Sequence, residues 1–425
     1  MKRLTTAGDD RRHNVNSNAL SRQFSWILIG RVASAVLQAM SFAVLARFAG
    51  PETFGLFALV YGVAIFAQVG TDFGLMTTVI YTRSSTPRHS VIGDALKITN
   101  RVTFFLSLVA TCLLLAISHF HVAYVALIPL GIWVGADRRA DVWLGVPLAD
   151  GDTWHNAFSL VLRRAGALAV LLVFQISGGN PVLGYSTGLA LFSVVAAWLA
   201  YRLSRDRVVS RGRHGFRSII KISIPYWINS IGAQAKNLDV LIVGLTTTAA
   251  AIGAFGVASR LTTPLSLVPQ AFAAVLMPAA ARVGRGNVRE LGKSLSVLTA
   301  GTTAMYVTVG VVSPFVVPVI LGPAYGDVAT VVQVFCCGLV FNSISAQISA
   351  LLQGWGCKRE VAFVQTITTL IYLVGIAAMS TLLGVVGAAV AFVVSGLLQL
   401  ILLGLAYRKP GLLDLSIVRR WTLKG

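Results

Sequence analysis

Charge is what this sequence has least of. Only 12% of its residues are Asp, Glu, Lys or Arg, about half the share of an average soluble domain, and mean hydropathy is +0.78. Apolar runs recur from Phe24 to Ala406, which excludes a soluble globular enzyme with a single anchor. Acids are scarcer than bases, 15 against 35. Cys112, Cys336, Cys337 and Cys357 show neither metal-ligand spacing nor a disulfide framework, so they read as packing residues. His119 and His121 stand together without a third ligand, and two histidines make a poor metal site. No metal, no cofactor and no catalytic group is expected. The first apolar run is too long for a signal-peptide core and lacks a small-residue cleavage site, so it reads as a retained helix.

What the chain does have is length in its apolar runs. A helix rises about 1.5 Å per residue, so ~20 apolar residues cross a ~30 Å hydrocarbon core. Hydropathy predicts twelve spans, near 24–46, 54–80, 102–118, 122–147, 157–177, 182–203, 218–245, 250–281, 295–320, 328–353, 360–380 and 385–407. The fourth runs into the polar stretch "GADRRADVWLGVPLADGDTW", which leaves an earlier end open. The expected fold is an all-α polytopic membrane protein with two six-helix lobes. Residues 1–23 form an N-terminal tail, 24–203 the first lobe, 204–217 a basic linker, 218–407 the second lobe and 408–425 a C-terminal tail.

The net charge of +20 could point to nucleic acid, but its distribution points to topology. With the N-terminus inside, all but four of the 35 basic residues fall in inner loops, tails or their helix ends. Only Arg47 falls outside, and Arg31, Lys236 and Arg260 fall within spans. Basic loops face the cytoplasm, so both termini are expected there, in a bacterial plasma membrane. The basic clusters also offer a surface to anionic lipid or to an envelope glycosyltransferase or polymerase; orientation is their default role.

The halves look related. A shift of 198 residues lays Phe54–Phe57 on Ile252–Phe255, Gln38 on Lys236 and Ser41 on Asp239. Such a parallel repeat puts a binding site at the interface between the halves.

A charged residue inside a span costs roughly 2.5–3.5 kcal/mol on insertion scales, so the three intramembrane cations need compensation. Helix 1 carries Arg31, Ser34, Gln38 and Ser41 at spacings that share one face. Helix 8 carries Arg260, Thr263 and Gln270, with Leu267 between. Helix 7 carries Asn229, Ser230, Gln234, Lys236, Asn237 and Asp239. Facing one another, these residues would line a wet, cationic cleft suited to a phosphate or pyrophosphate group, which guanidinium binds through paired hydrogen bonds. Blander readings stand beside this one. Lys236 and Asp239 are three apart and can neutralise each other, and Arg31 can snorkel to the interface. The prolines of helix 8, at 264, 269 and 278, fit a hinge or a static kink.

Several stretches resemble a known family. "LARFAGPETFGLFALVYGVAIFAQVGTDFGL" is similar to the first two helices of polysaccharide flippases in the multidrug/oligosaccharidyl-lipid/polysaccharide exporter (MOP) superfamily. "IPYWINSIGAQAKNLDVLIVG", "IGAFGVASRL" and "LMPAAARV" resemble their helix 7–8 region; "LGPAYGDVATVVQV" and "LLGVVGAAVAFVVSG" resemble later segments. The resemblance implies alternating access by two lobes and a polyprenyl-pyrophosphate-linked oligosaccharide or related glycolipid as cargo. It implies head-group roles for Arg31 and Arg260, to which the cleft reading adds Lys236. It also makes Asp239 the candidate for coupling to H+ or Na+. Relatives pair that acid with another on helix 11, where this chain has Gln365, Thr366, Thr368 and Thr369, so a sodium site of that kind lacks its second carboxylate.

Two other readings were weighed. A multidrug exporter of the same superfamily would hold organic cations, against the positive lean of the interior. An outer-face glycosyltransferase or polymerase would need acid-bearing external loops, whereas Glu52 and Asp327 are the only clear acids there.

Overall fold

The computed structural model describes residues 17–85, 89–208, 215–234, 238–283, 289–326 and 328–408. Every regular element among the described residues is a helix. That suits lipid, where each segment must satisfy its own backbone polar groups. Helix α1 (Ser17–Gly70) breaks at Gly50, whose φ of 77° is costly for any residue with a Cβ, and Pro51 opens the second arm. A turn with positive φ at Phe73 and Gly74 separates that arm from α2 (Leu75–Ser85). Helices α3 (Ser90–Phe120), α4 (Pro129–Ala149), α5 (Thr153–Ile176) and α6 (Pro181–Ser204) complete the first half. The second half comprises α7 (Phe216–Gln234), α8 (Asp239–Thr246), α9 (Ala249–Thr262), α10 (Leu267–Val283), α11 (Arg289–Leu321), α12 (Val328–Gly354) and α13 (Lys358–Arg408). Helix α13 breaks at Gly384, again with positive φ.

Eight helical stretches are long and apolar enough to cross a membrane, and two of them, of 46 and 50 residues, are the broken α1 and α13, which cross twice. The α7–α8 pair and α4 supply the remaining passes. The chain is a multi-pass membrane protein, with twelve passes as hydropathy predicts.

Helix 4 reaches Ala149 through its charged stretch, close to the expected end at 147. Two expectations need correction. The arginines assigned to inner loops or helix ends there lie inside helices instead, Arg138 and Arg139 in α4 and Arg163 and Arg164 in α5. Helix 3 also begins earlier than hydropathy places it, because its polar first turns are packed, with Asp94, Thr99 and Thr103 buried.

Helices of each half pack chiefly on one another, and α1 packs across the divide on α9. Twelve passes return the chain to the end where it began; the opposite end carries the breaks at Gly50 and Gly384. At that far end the halves meet backbone to backbone. A Cβ on Gly55 would land on the Ala249 carbonyl, and one on Gly253 would land on the Pro51 carbonyl. Residues 51 and 249 are related by the same 198-residue shift as 55 and 253, so this contact is a pseudo-twofold one. Arg47 Nη1 donates across the divide to the Val319 carbonyl at 2.9 Å, and the Tyr325 hydroxyl to the Ala46 carbonyl at 3.0 Å. Nearer the termini, α7 meets α2 and the end of α1: Thr78 Oγ1 donates to Ser223 Oγ at 2.8 Å, and Trp227 Nε1 to the Val69 carbonyl at 3.2 Å. The first turns of α1 pack on α5 instead, through Trp26 on Trp154 and Gly30 on Ala157.

Candidate functional site

The sequence assigns its cations to helices 1, 7 and 8; of these the structure brings Arg260 to Tyr61, where Arg164 joins it. The Tyr61 side chain is 2% exposed in the second arm of α1 and stacks on Trp133 of α4, with ring centroids 4.7 Å apart. Its hydroxyl accepts from Gln38 Nε2 at 3.2 Å. The Arg260 guanidinium, delivered by the last turn of α9, lies 5.8 Å from the ring centroid, within cation–π range. Arg164 of α5 reaches the same place from the other side, interacting with Tyr61 and Tyr185. Its Nη1 is buried without a hydrogen-bond partner among the described residues. Two arginines, one from each half, therefore converge on one aromatic ring.

Arg31 lies two turns from Gln38 on the same face of α1, opposite the exposed apolar strip of Ile29, Val36 and Met40. Its side chain is exposed and has no ion-pair partner among the described residues, so it stands at the approach to the Tyr61 cluster and not within it. The predicted helix-1 face divides. Gln38 faces the cluster, while Ser34 and Ser41 are buried, Ser41 donating to its own helix at Leu37 O (2.7 Å). Ser41 also interacts with Tyr185 and so joins the edge of the cluster, while Ser34 is buried two turns earlier.

In the second half, helix 8 is bent. The chain tightens to a 3-10 turn at Thr263–Ser266, with Pro264 in that turn and Pro269 just beyond. Thr263 and Gln270 face a cavity of about 560 Å³, as does Asp239 at the start of α8. Asp239 is buried; its carboxylate accepts from the Val240 amide (2.7 Å) and from the Tyr372 hydroxyl (3.4 Å). Arg260 is the nearby cation that acts on Asp239 electrostatically. Lys236 and Asn237 lie outside the described residues, as do the side chains of Asn229 and Gln234. No group of three potential metal ligands occurs among the described residues.

Sequence reasoning missed a charged core in the first half. Arg163, 2% exposed, donates to Asp137 and Asp141 at 2.7 Å each, and Ser193 joins Asp137 at 3.2 Å. Arg138 pairs with the buried Asp72 through Nε at 3.0 Å. The signal was present: Asp137 and Asp141 stand one turn apart, and Arg163–Arg164 precede twelve residues of unbroken helix. Four charges near a polar loop were read as part of it. Arg163 pairs with both carboxylates; Arg164, its neighbour, is shared between Tyr61, Asp137 and Tyr185.

The family model described as "Polysaccharide biosynthesis protein" matches residues 159–330. No curated protein matches the chain. Among solved structures, it is similar to an inward-facing multidrug-resistance MATE transporter of the MOP superfamily (TM-score 0.70, 15% identity, covering 88% of this chain and 94% of that one). It is similar to the lipid II flippase MurJ in an inward closed conformation (TM-score 0.70, 13% identity, 91% and 87%). It is also similar to a MOP transporter from Pyrococcus furiosus described as having a binding pocket of reverse polarity (TM-score 0.63, 16% identity, 92% and 94%). The fold is the MOP transporter fold, and the resemblance seen in the sequence is borne out.

Proposed function

We propose that this chain is a flippase that moves a polyprenyl-(pyro)phosphate-linked oligosaccharide or related glycolipid from the inner to the outer leaflet by alternating access. The observation that carries the reading is the convergence of Arg164 and Arg260, one from each half, on Tyr61 at the interface between the halves. A sugar head group cannot cross hydrocarbon unaided, because its polar atoms would lose their hydrogen bonds. Guanidinium groups offer a phosphate paired, charge-assisted hydrogen bonds, and lose less on desolvation than an ammonium does. Arg31, exposed two turns nearer the termini, is the first cation such a head group would meet. Lys236 is retained as a third candidate. No reaction is assigned; the protein's work is to bind, shield and rock.

The basic ends of the bundle support a reading with both termini in the cytoplasm of a bacterial cell and the far end of the bundle outside. In that orientation the Gly55–Gly253 and Arg47 contacts close the outer mouth. Asp239 is the proposed site of coupling to H+ or Na+, and envelope glycosyltransferases or polymerases are proposed partners at the basic face.

The test is fluorescence-quench flipping of a polyprenyl-pyrophosphate oligosaccharide in proteoliposomes. Wild type is expected to flip the lipid, and Arg164→Ala and Arg260→Ala, checked for folding, to lose at least tenfold in rate. An active wild type matched by both variants would sink the head-group role. A second reading, a cation-coupled multidrug exporter, rests on Asp239 among aromatic neighbours in the second-half cavity; binding of an organic cation that is lost in Asp239→Asn would favour it.

A further inference from the structure

The second-half cavity has a chemistry of its own. It holds about 560 Å³, within the range of about 300–1,000 Å³ that accommodates small-molecule ligands. Its position follows from its lining. Asp239 and Tyr372 lie at mid-depth, while Gln353, at the end of α12, lies near the end of the bundle that carries the termini. Ser259 lines it and the adjacent Arg260 lies over Tyr61, so the cavity adjoins the arginine cluster directly.

Five carboxamides stand among the hydroxyls of its polar wall: Gln270, Asn342, Gln353, Gln365 and Gln399. Asp239 is the only charged side chain among its described lining residues. Gln399 is 6% exposed and donates to Gln365 at 2.9 Å. Each carboxamide both donates and accepts, as a sugar hydroxyl does, and so can pair with hydroxyls without charge. Tyr306, Phe335, Tyr372 and Phe392 add apolar ring faces between them. A phosphate is disfavoured here by Asp239 and by the lack of any described lining cation. A hydrocarbon tail is disfavoured because it would strip the amides of water without replacing their hydrogen bonds.

We infer that this cavity is a glycan subsite, holding the neutral sugars of the cargo beside the arginine cluster that holds its phosphate. The inference rests on the flippase reading. It sets the cargo's orientation: phosphate between the halves at Tyr61, sugars in the second half, and the prenyl chain excluded from both.

The experiment measures binding in nanodiscs of two fluorescent probes, a polyprenyl pyrophosphate carrying a neutral disaccharide and the same lipid without sugar. Wild type is expected to bind the glycosylated probe at least tenfold more tightly. Gln365→Leu combined with Gln399→Leu, and separately Asn342→Leu, should reduce that preference to within threefold while leaving the sugar-free affinity unchanged. Arg260→Ala should weaken both probes. Retention of the full preference by both cavity variants, or equal binding of the two probes by wild type, would overturn the glycan subsite and leave the flippase reading standing. Failure of wild type to bind either probe would overturn the flippase reading and the subsite with it. Thermal unfolding of each variant excludes misfolding as the cause of a lost preference.

Discussion

The two halves share a plan and differ in what fills them. In the first, α4, α5 and α6 close around a ladder of ion pairs and aromatic rings: Arg163 between Asp137 and Asp141, then Tyr61, Trp133, Tyr185, Phe42 and Phe57. In the second, α8, α9, α12 and α13 border an open cavity lined by uncharged amides, hydroxyls and aromatic rings beside Asp239. Buried charge must be matched by charge, so the first half is costly to disturb and suited to be a fixed frame. Uncharged amides tolerate exchange of one hydrogen-bond partner for another, so the second half can be emptied and refilled. The difference assigns scaffold to one lobe and capacity to the other.

The hardest blow to that contrast is Arg163→Ala. It strands Asp137 and Asp141 and should cost about 3–5 kcal/mol, read as a fall of roughly 10 °C in the thermal midpoint in detergent. Arg163→Met with Asp137→Leu and Asp141→Asn should recover most of the loss, because an ion cluster replaced whole leaves no charge unpaired. If the triple variant is no better than the single one, the ladder is not the frame we describe. Next in size is Gly253→Val, which drives a side chain into the Pro51 carbonyl. Overpacking of this kind costs typically about 1–3 kcal/mol, and the far mouth should be pried open, seen as faster maleimide labelling of Cys introduced at Ala251. Arg47→Ala removes the bonds to Val319 and Ile320, worth about 0.5–1.5 kcal/mol each. It should raise the same labelling severalfold with little change in thermal midpoint. The smallest effect sharpens the contrast from the other side: Gln365→Leu with Gln399→Leu removes both members of a hydrogen-bonded pair and should move stability by less than about 1 kcal/mol. A large loss there would mean that the second half, too, is framework.

Hydropathy made the twelve passes legible because apolar length survives any detail of packing. The 198-residue register was legible as well. It pairs Gly55 with Gly253, the two glycines at which the halves touch. What stayed hidden depended on contacts between helices distant in sequence. Arg164 counts as a basic helix-end charge until α5 is seen to begin at Thr153, eleven residues before it. Ser41 and Gln38 look equivalent on a helical wheel, yet Ser41 meets packed neighbours and Gln38 meets Tyr61. Asp239 was found by its depth in the membrane, but its contacts, Tyr372 and Arg260, come from α13 and α9.

The paired glycines carry a consequence for the cell. A membrane under voltage stays charged only while each open mouth has a tight seal behind it. Many such seals are plugs of large apolar side chains, which can rotate aside one at a time and let water file through. Here the barrier includes two peptide backbones in direct contact, with no side chain between them to flicker. Such a seal parts as a whole or not at all, so leakage of ions during the wait for cargo would be suppressed by geometry alone.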